Sequence, residues 1–455
     1  MQSSVARPVL ARLLADLGLD ARIAERAPAA DAAVPLSSAL PVPTLARDSV
    51  DAAALLAAHV VEERTGVRVR PETDGRRTAA AYSSERTLLV DGEVPAVWAP
   101  LSGFWSTREG WVRTHGNYPH HARALRIALE VSPEATREEV RERIARTDAV
   151  ALVERVVRLG GVAAVAAQVD PLEEERRASA PLIERRSWRA QPRKWIGDST
   201  LPLAGIRVLD LTRVIAGPVS TRTLAHFGAD VLRIDSPVLP ELPWQHLDTG
   251  AGKRSALLDL AAAADRATFH RLLASADVVV LGYRPSGLGG LGLDPDALAD
   301  SHPGLVIARL SAWGFEQADA DRRGFDSIVQ AASGIAWRES SDGQTPGALP
   351  AQALDHSAGY LLAAAVISAL ARQRAEGGTH LVQTSLRRIA AELLTLPAEQ
   401  RAAADPDLSD QAVTYETDAG TVRVVRPAAR LAGMPDTFAD APHAWGTDAP
   451  AWLPR

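Results

Sequence analysis

Cysteine is absent from the 455 residues of this chain. Without a thiol, the protein has no disulfide, no thiolate metal site, no iron–sulfur cluster and no cysteine nucleophile. This absence fits a reducing compartment. A secretory signal core is not visible either, because Arg and Asp interrupt the apolar residues of the first 28 positions. Together these features predict a cytoplasmic protein.

The chain also has little excess charge and no apolar run long enough to span a bilayer. Its 50 basic and 56 acidic residues leave a net charge of −6, whereas a nucleic-acid-binding protein usually carries a strong basic patch. The longest apolar stretch, residues 358–371, is shorter than the roughly 18–20 residues that a membrane helix needs. We therefore expect no nucleic acid and no membrane as partners, and we interpret 358–371 as part of a buried helix.

The fingerprints of common nucleotide and hydrolase sites are missing or incomplete. Neither a phosphate-binding loop ending in Gly-Lys-Ser/Thr nor a G-x-S-x-G elbow occurs. The turn at 212–218 has one Gly where a dinucleotide site needs three. A formal G-x-G-x-x-G at 287–292 leads into LDPDAL rather than directly into a long helix. We therefore expect no NAD.

A group of histidines raises the question of a metal. His115, His120 and His121 lie within seven residues. However, no local carboxylate has obvious ligand spacing, and Pro119 favours a simple turn. The sequence therefore predicts no metal site.

Residues 201–386 alternate short β-rich runs with helical patterns. Apolar runs rich in Val, Ile and Leu include 206–211, 229–235, 277–283 and 305–310. Such runs are typical of strands covered on both faces. Their alternation with helices predicts a parallel sheet with right-handed crossovers. The predicted fold class is therefore α/β, with a doubly wound parallel sheet.

Residues 1–195 differ in character from this region. An Ala-rich helical pattern at 49–66 resembles the pattern at 355–378, and both end in Arg and Gly, which suggests an internal duplication. The first copy lacks an Asp at the position that matches Asp355, so any role of that acid would be confined to the second copy. Residues 176–195, rich in Arg with Pro, predict a linker or a solvated strap.

Five segments resemble the family III coenzyme A transferases, which include formyl-CoA:oxalate and carnitine CoA-transferases and α-methylacyl-CoA racemase. In chain order they are 202–235, 252–260, 276–298, 324–334 and 353–378. The resemblance implies a Rossmann-like doubly wound parallel sheet domain plus a smaller α+β domain. The order of these parts departs from the family, because segments similar to the smaller domain precede the sheet here instead of following the catalytic helix.

This rearranged order leads to four predicted regions. They are a degenerate partial copy of the large domain (1–95), the smaller α+β domain with a linker (96–195), the Rossmann-like catalytic domain (196–400) and a C-terminal return segment (401–455). Because members of the family form interlinked dimers, the resemblance implies either a homodimer or an internal pseudo-dimer.

In the family, the Asp that opens the long Ala-rich helix is the nucleophile, and the matching residue is Asp355. The resemblance implies that its carboxylate attacks a thioester to give a mixed anhydride, and that CoA returns to form an enzyme–CoA thioester. The chain would thus be a CoA-transferase acting on an acyl-CoA and a small carboxylic acid. Without the resemblance, the simpler explanation of Asp355 is a helix N-cap.

The resemblance also implies that three parts of the chain, with one arginine on the second strand, approach CoA. The predicted contact residues are Val214, Ala216, Arg233, Lys253, Arg254, Tyr283 and Arg284. Many family members have a basic residue where this chain has Gly290. One phosphate contact is therefore either missing or supplied from elsewhere.

Two alternative functions stay open. The racemases of the family use the His of a Gly-His-Asp motif, which matches Gly324-Phe325-Asp326 here. Phe325 cannot exchange a proton, and His356 is the nearby residue that could replace it. The rearranged N-terminal half leaves a second alternative, a catalytically weak CoA-binding pseudoenzyme.

Overall fold

The computed structural model describes residues 7–28, 33–195, 199–316, 319–399, 406–417 and 420–454. The α-helices within these ranges are α1 (Pro8–Leu17), α2 (Val42–Thr65), α3 (Gly75–Tyr82), α4 (Ser84–Thr87), α5 (Pro119–Leu129), α6 (Arg137–Ala145), α7 (Ala149–Arg158), α8 (Pro171–Ser179), α9 (Ala216–His226), α10 (Pro243–Gly250), α11 (Ala263–Leu273), α12 (Pro285–Gly289), α13 (Pro295–Ser301), α14 (Asp326–Ala332), α15 (Ile335–Arg338), α16 (Ala353–Glu376) and α17 (Leu386–Thr395). The strands are β1 (Pro71–Glu72), β2 (Leu89–Val90), β3 (Gly103–Ser106), β4 (Trp111–Thr114), β5 (Ala163–Val165), β6 (Glu184–Trp188), β7 (Arg207–Leu211), β8 (Asp230–Asp235), β9 (Arg254–Leu257), β10 (Val278–Leu281), β11 (Val306–Ser311), β12 (Thr379–Ser385), β13 (Ala412–Thr417), β14 (Gly420–Val425) and β15 (Arg430–Leu431).

Seven strands form the central sheet, in the order β6-β12-β11-β10-β7-β8-β9. Six of them run parallel, and β6 pairs antiparallel with β12 at one edge. Along the chain, the first parallel strand lies beside the fourth, as in a doubly wound fold. This order confirms the predicted α/β class. Because the order reverses between β7 and β10, a crevice opens at the carboxyl ends of these two strands.

The apolar runs of the central strands serve two hydrophobic cores. Successive side chains of a strand point to opposite faces of the sheet. In β10, Val278 and Val280 therefore join the core on one face, while Val279 and Leu281 join the core on the other. All four are at most 1% exposed. Continuous runs of Val and Leu thus predicted these strands correctly.

The Arg-rich run at 176–195 has regular structure over part of its length, which the prediction of a linker or solvated strap did not include, whereas 189–195 has none. Its beginning lies in α8, and residues 184–188 form the edge strand β6. Four of the five β6 side chains are exposed. Charged side chains on an edge strand discourage pairing with another chain, and they make such a strand look like a solvated loop in the sequence.

Helix α16 is buried at the centre of the fold, where it packs against α2 and α9. Gly359 allows the close approach to α9, because a Cβ atom there would lie 2.7 Å from the carbonyl oxygen of Ala216 and 2.8 Å from Cβ of Val219. The second turn of α16 therefore lies beside the start of α9. Among the described residues, α16 is the one helix long and apolar enough to cross a membrane, and its apolar window is fully buried in the fold.

A smaller α+β unit has a hydrophobic core of its own. Strands β3, β4 and β5 form an antiparallel sheet, which packs with α5, α6 and α7 around residues such as Trp105, Leu125 and Leu152. Elsewhere, the hairpin of β13 and β14 pairs with β2. The C-terminal segment and the N-terminal region therefore share one small sheet.

Candidate active site

A cavity of about 290 Å³ lies at the crevice where β7 and β10 end. Its walls come mainly from the loops that follow these strands, from parts of the segment 310–325 and from the start of α5. Of the described residues that line it, Asp355 is the one acid, whereas four arginines and two histidines line it as well. The lining therefore favours an anionic ligand close to a single carboxyl group.

The loop after β7 is held in a strained shape beside the cavity. Val214 has a φ of +71°, a left-handed conformation that β-branched residues rarely adopt. Gly217 is required here, because a Cβ atom would lie 2.3 Å from Cβ of Thr212. Backbone strain of this kind is concentrated at functional sites. In this shape the loop presents Val214 and Ala216 to the cavity.

Glu241 anchors the strained loop. Its carboxylate accepts hydrogen bonds from the N–H of Val214 at 3.0 Å, from Arg213 and Arg233, and from the hydroxyl of Tyr118 at 2.7 Å. Burial opposes the ionisation of Glu241, but the charges of Arg233 and Arg213 outweigh it and lower the pKa of Glu241 to about 2. Because Tyr118 belongs to the smaller α+β unit, Glu241 also joins that unit to the sheet domain.

Asp355 is the third residue of α16 and forms part of the cavity wall with 6% of its surface exposed. Its carboxyl group accepts no hydrogen bond from the residues that the structure describes. Burial raises the pKa of Asp355 well above its ordinary value, and the neighbouring carboxyl of Asp326 raises it further. Once ionised, Asp355 is a reactive carboxylate, because few groups solvate it.

The cap of α16 is Asp326, the first residue of α14. Its Oδ2 accepts hydrogen bonds from the N–H groups of Leu354 at 2.8 Å and Asp355 at 3.0 Å. Gln352, at the N-cap position, makes no side-chain cap. Asp355 therefore does not cap its own helix, and its side chain is left free for the cavity.

The cavity brings together five of the eight site residues predicted from the sequence. These are Val214, Ala216, Tyr283, Arg284 and Asp355. The structure does not bring Arg233, Lys253 and Arg254 to the cavity lining. The loops after β7 and β10 thus meet the nucleophile candidate, as the crevice geometry requires.

The three cations outside the lining are paired with acids of the sheet. The pairs are Arg233 with Asp235 at 2.7 Å, Lys253 with Asp210 at 3.1 Å and Arg254 with Asp230 at 2.7 Å. Arg233 and Lys253 are almost fully buried, and burial lowers the pKa of Lys253 to about 8. Since each charge is compensated within the fold, the geometry gives no support to their prediction as CoA contacts.

Arg284 and Arg323 line the cavity and form no salt bridge with the described residues, although the charge of Arg284 contributes to lowering the pKa of nearby Asp321. The guanidinium of Arg284 donates to the backbone oxygen of Asp321 at 3.3 Å. Burial and the charge of Arg284 lower the pKa of Arg323, so the two cations are close enough to repel each other. Arg323 was missed in the sequence, although it directly precedes the matching segment 324–334. Together the two residues offer an anion site.

Phe325 forms another wall with Tyr118 and His121 of the smaller α+β unit, and His115 packs behind it without lining the cavity. His115 stacks on Phe325 with ring centroids 3.8 Å apart, and Tyr118 and His121 contact the same ring at 6.2 and 5.9 Å. Burial, together with neighbouring positive groups, lowers the pKa of His115 and of His121 to about 3. Both imidazoles are therefore neutral near pH 7. The segment that raised a metal interpretation packs here as an aromatic wall.

His356, the expected substitute for Phe325 as a proton acceptor, does not line the cavity. It is 0% exposed, and its ring stacks on Tyr82 with centroids 5.2 Å apart. Burial lowers the pKa of His356 to about 3. The geometry therefore gives His356 no contact with a substrate in the cavity.

Comparison with known proteins gives a consistent result for the sheet domain. The model of CoA-transferase family III matches residues 203–442. A probable fatty acyl-CoA transferase of Mycobacterium tuberculosis is 34% identical over 205 residues, covering 42% of this chain and 52% of that protein. The alpha subunit of a succinyl-CoA–L-malate CoA-transferase from Chloroflexus aurantiacus is 30% identical over 207 residues, covering 42% and 48%.

A crystal structure of the same mycobacterial protein is 33% identical and covers 45% of this chain and 58% of its own, with a TM-score of 0.40. The chain thus spans about half the length of the curated relatives that it matches.

Proposed function

The chain belongs to CoA-transferase family III, and we propose that it moves coenzyme A from an acyl-CoA to a small carboxylic acid, with Asp355 as the nucleophile. The observation that supports this most is the position of the Asp355 carboxyl. It forms part of the cavity wall at the crevice of a doubly wound sheet, where such folds bind their ligands. It also accepts no hydrogen bond from the described residues, and such a bond would reduce its nucleophilicity.

The first half of the proposed reaction loads CoA onto the enzyme. A carboxylate oxygen of Asp355 attacks the thioester carbon, the C–S bond breaks, and CoA leaves as a thiolate. The thiolate then attacks the aspartyl carbonyl of the mixed anhydride and releases the donor acid as a carboxylate. The enzyme–CoA thioester remains.

The second half repeats these steps in reverse with another acid. The acceptor carboxylate attacks the aspartyl thioester and releases the thiolate, which then attacks the acceptor's acyl carbon. The products are a new acyl-CoA and the Asp355 carboxylate. Each step exchanges one anion for another, so the reaction needs no oxidant and no net proton. The raised pKa of Asp355 implies that activity falls as the pH drops through that pKa, since the neutral acid cannot attack.

Arg284 and Arg323 are the proposed contacts of the CoA phosphates. Both residues line the cavity and form no salt bridge with the described residues, and a phosphate would relieve their mutual repulsion. Arg323 would then supply the contact that Gly290 does not. We place the acyl group toward the wall formed by Phe325, Tyr118 and His121.

Trapping experiments test the role of Asp355. The protein is incubated with acyl-CoAs and then treated with hydroxylamine or borohydride, which convert an activated aspartyl group into a stable derivative. We expect the modification on the peptide that contains Asp355, and no modification in Asp355→Ala. The matched control is Thr44→Ala, which alters the third residue of the neighbouring helix α2 and should leave the modification unchanged. Labelling that persists in Asp355→Ala would rule out this mechanism.

The same incubations separate the two alternatives. A racemase would incorporate solvent deuterium at the α-carbon of the acyl-CoA without exchanging acyl groups, whereas the transferase exchanges acyl groups. A pseudoenzyme would bind acyl-CoA but give neither the Asp355 derivative nor exchange. Screening pairs of acyl-CoAs and acids by mass spectrometry would identify the donor and the acceptor.

A further inference from the structure

Asp326, on α14, accepts hydrogen bonds from the backbone at the start of α16, the helix that carries Asp355. It lies in the first turn of α14, and its Oδ2 accepts the N–H groups of both Leu354 and Asp355, at 2.8 and 3.0 Å. These donors belong to the first turn of α16, where N–H groups have no partner within the helix. Asp326 is fully buried. One carboxylate oxygen is thus committed to the backbone around the nucleophile candidate.

Gln330, one turn later on α14, extends this contact. Its side-chain amide donates to the other carboxylate oxygen of Asp326, and its own carbonyl oxygen accepts the N–H of Leu349 at 3.0 Å. Three backbone donors between residues 349 and 355 are therefore fixed to α14. These hydrogen bonds fix the backbone conformation of the segment that leads into α16. They therefore also fix the direction in which the Asp355 side chain points.

The contact also determines what the Asp355 carboxyl lacks. A free carboxyl at this helix position is ordinarily stabilised by the first-turn N–H groups. Here Asp326 occupies the N–H groups of Leu354 and of Asp355 itself. The Asp355 side chain is left with a cavity on one side, a second carboxyl behind it and no hydrogen bond from the described residues.

We propose that Asp326 is a positioning residue, which holds the entry of α16 and keeps the backbone donors away from Asp355 so that this carboxyl faces the thioester unbonded. The inference rests on the proposed function of Asp355. It predicts two separate effects of Asp326. Its carboxylate oxygens fix the backbone at the start of α16, and its negative charge raises the pKa of Asp355.

The electrostatic surroundings of the pair come from several elements. Burial and Asp326 act on Asp355. Burial raises the pKa of Asp326 to about 6, although the positive charge of Arg113 on β4 acts in the opposite direction. Asp326 and Glu85 on α4 disfavour each other's ionisation, because both are acids. The charge of ionised Asp326 opposes the ionisation of Asp355. Removing its charge lowers the pKa of Asp355, and activity should then persist to lower pH.

The test compares Asp326→Asn and Asp326→Ala with the wild type. Asp326→Asn keeps an acceptor oxygen but loses the charge, so we expect the acidic limb of the kcat/KM profile to move to lower pH. Asp326→Ala also frees the N–H groups of Leu354 and Asp355, and we expect kcat to fall on the order of 100-fold, as for a displaced reactive group. KM for acyl-CoA should change little in both.

The chain offers a matched control in Asp48. This buried acid on α2 caps α1 in the same way, accepting the N–H groups of Val9 at 3.1 Å and Leu10 at 3.3 Å. Asp48→Asn should lower stability without moving the pH profile. If Asp326→Asn behaves as Asp48→Asn does, Asp326 is merely structural and the inference is wrong. If the wild type forms no Asp355 derivative, the proposed function fails, and this inference fails with it.

Discussion

At the scale of single residues, Arg323 offers a direct test of the anion site. We expect Arg323→Ala to raise KM for acyl-CoA about tenfold, because a hydrogen bond to a charged group contributes about 1.5–3 kcal/mol. The same variant should leave KM unchanged for an acyl-pantetheine thioester, which lacks the nucleotide phosphates. Steady-state kinetics with both substrates measures the difference.

The control for this prediction is Arg271→Ala, which removes an exposed arginine of α11 that does not line the cavity. It should leave both KM values as they are. An equal effect of Arg323→Ala on both substrates would contradict the phosphate contact, because the pantetheine thioester has no nucleotide phosphate for Arg323 to bind.

The residues also differ in how far their places in or near the site could be predicted from the sequence. Asp355 was reached through the resemblance of its helix, and the structure places it in the cavity wall. Arg233 was expected at CoA, yet Asp235 stands two positions later on the same strand and therefore on the same face of the sheet. That spacing already indicated a neutralised charge. The contact between Asp326 and α16 joins residues 28 and 29 positions apart, and no local pattern encodes it.

At the scale of elements, the close contact of α16 with α9 positions the nucleophile candidate. Gly359→Ala would place a Cβ atom 2.7 Å from the carbonyl oxygen of Ala216. We expect this crowding to lower the free energy of unfolding by about 1–3 kcal/mol and to reduce kcat, because it pushes Asp355 away from the strained loop. Urea unfolding and steady-state kinetics measure the two effects.

Gly289 provides the comparison, since a Cβ atom there meets no atom within 4 Å. Gly289→Ala should therefore match the wild type in both measurements. A Gly359→Ala protein as stable and as active as Gly289→Ala would mean that the helices tolerate a larger separation than their packing indicates.

The suggested duplication can now be compared at the level of two helices. Both α2 and α16 have 24 residues, and both end at a glycine of positive φ. Their N-cap residues Pro41 and Gln352 also share an unusual conformation, with φ near −75° and ψ of 51° and 61°. Thr44 is the third residue of α2, where α16 has Asp355. The Ala-rich pattern predicted both helices, but it could not predict that they pack side by side.

At the scale of the whole molecule, the sequence predicted the class of the sheet because strand burial leaves a local signature. No local sequence pattern indicates how the smaller α+β unit packs against the sheet. Its contact with the site depends on pairs such as Tyr118 and Glu241, which are 123 positions apart. The four predicted regions, with a degenerate copy at 1–95, stay a prediction. The rearranged chain nevertheless brings α5 to the same cavity as Asp355.

Glu241 is the residue through which this arrangement can be tested. It receives hydrogen bonds from Tyr118 of the smaller unit and from Arg213, Arg233 and Val214 of the sheet domain. Glu241→Gln removes the carboxylate that pairs with Arg213 and leaves Arg233 with Asp235 as its remaining acidic partner. We expect the free energy of unfolding at pH 7 to fall by about 3–5 kcal/mol. Tyr118→Phe removes one hydrogen bond only and should cost about 1 kcal/mol.

The pH dependence gives this prediction a second, independent readout. The pKa of Glu241 is about 2 in the folded protein and 4.5 ordinarily. Because the folded value is depressed, its stabilisation is present above about pH 4.5 and is lost as the pH falls toward 2. The difference in unfolding free energy between wild type and Glu241→Gln should therefore shrink across that window, as followed by tryptophan fluorescence in urea. A difference that stays constant down to pH 2 would mean that the charge of Glu241 does not hold the two units together.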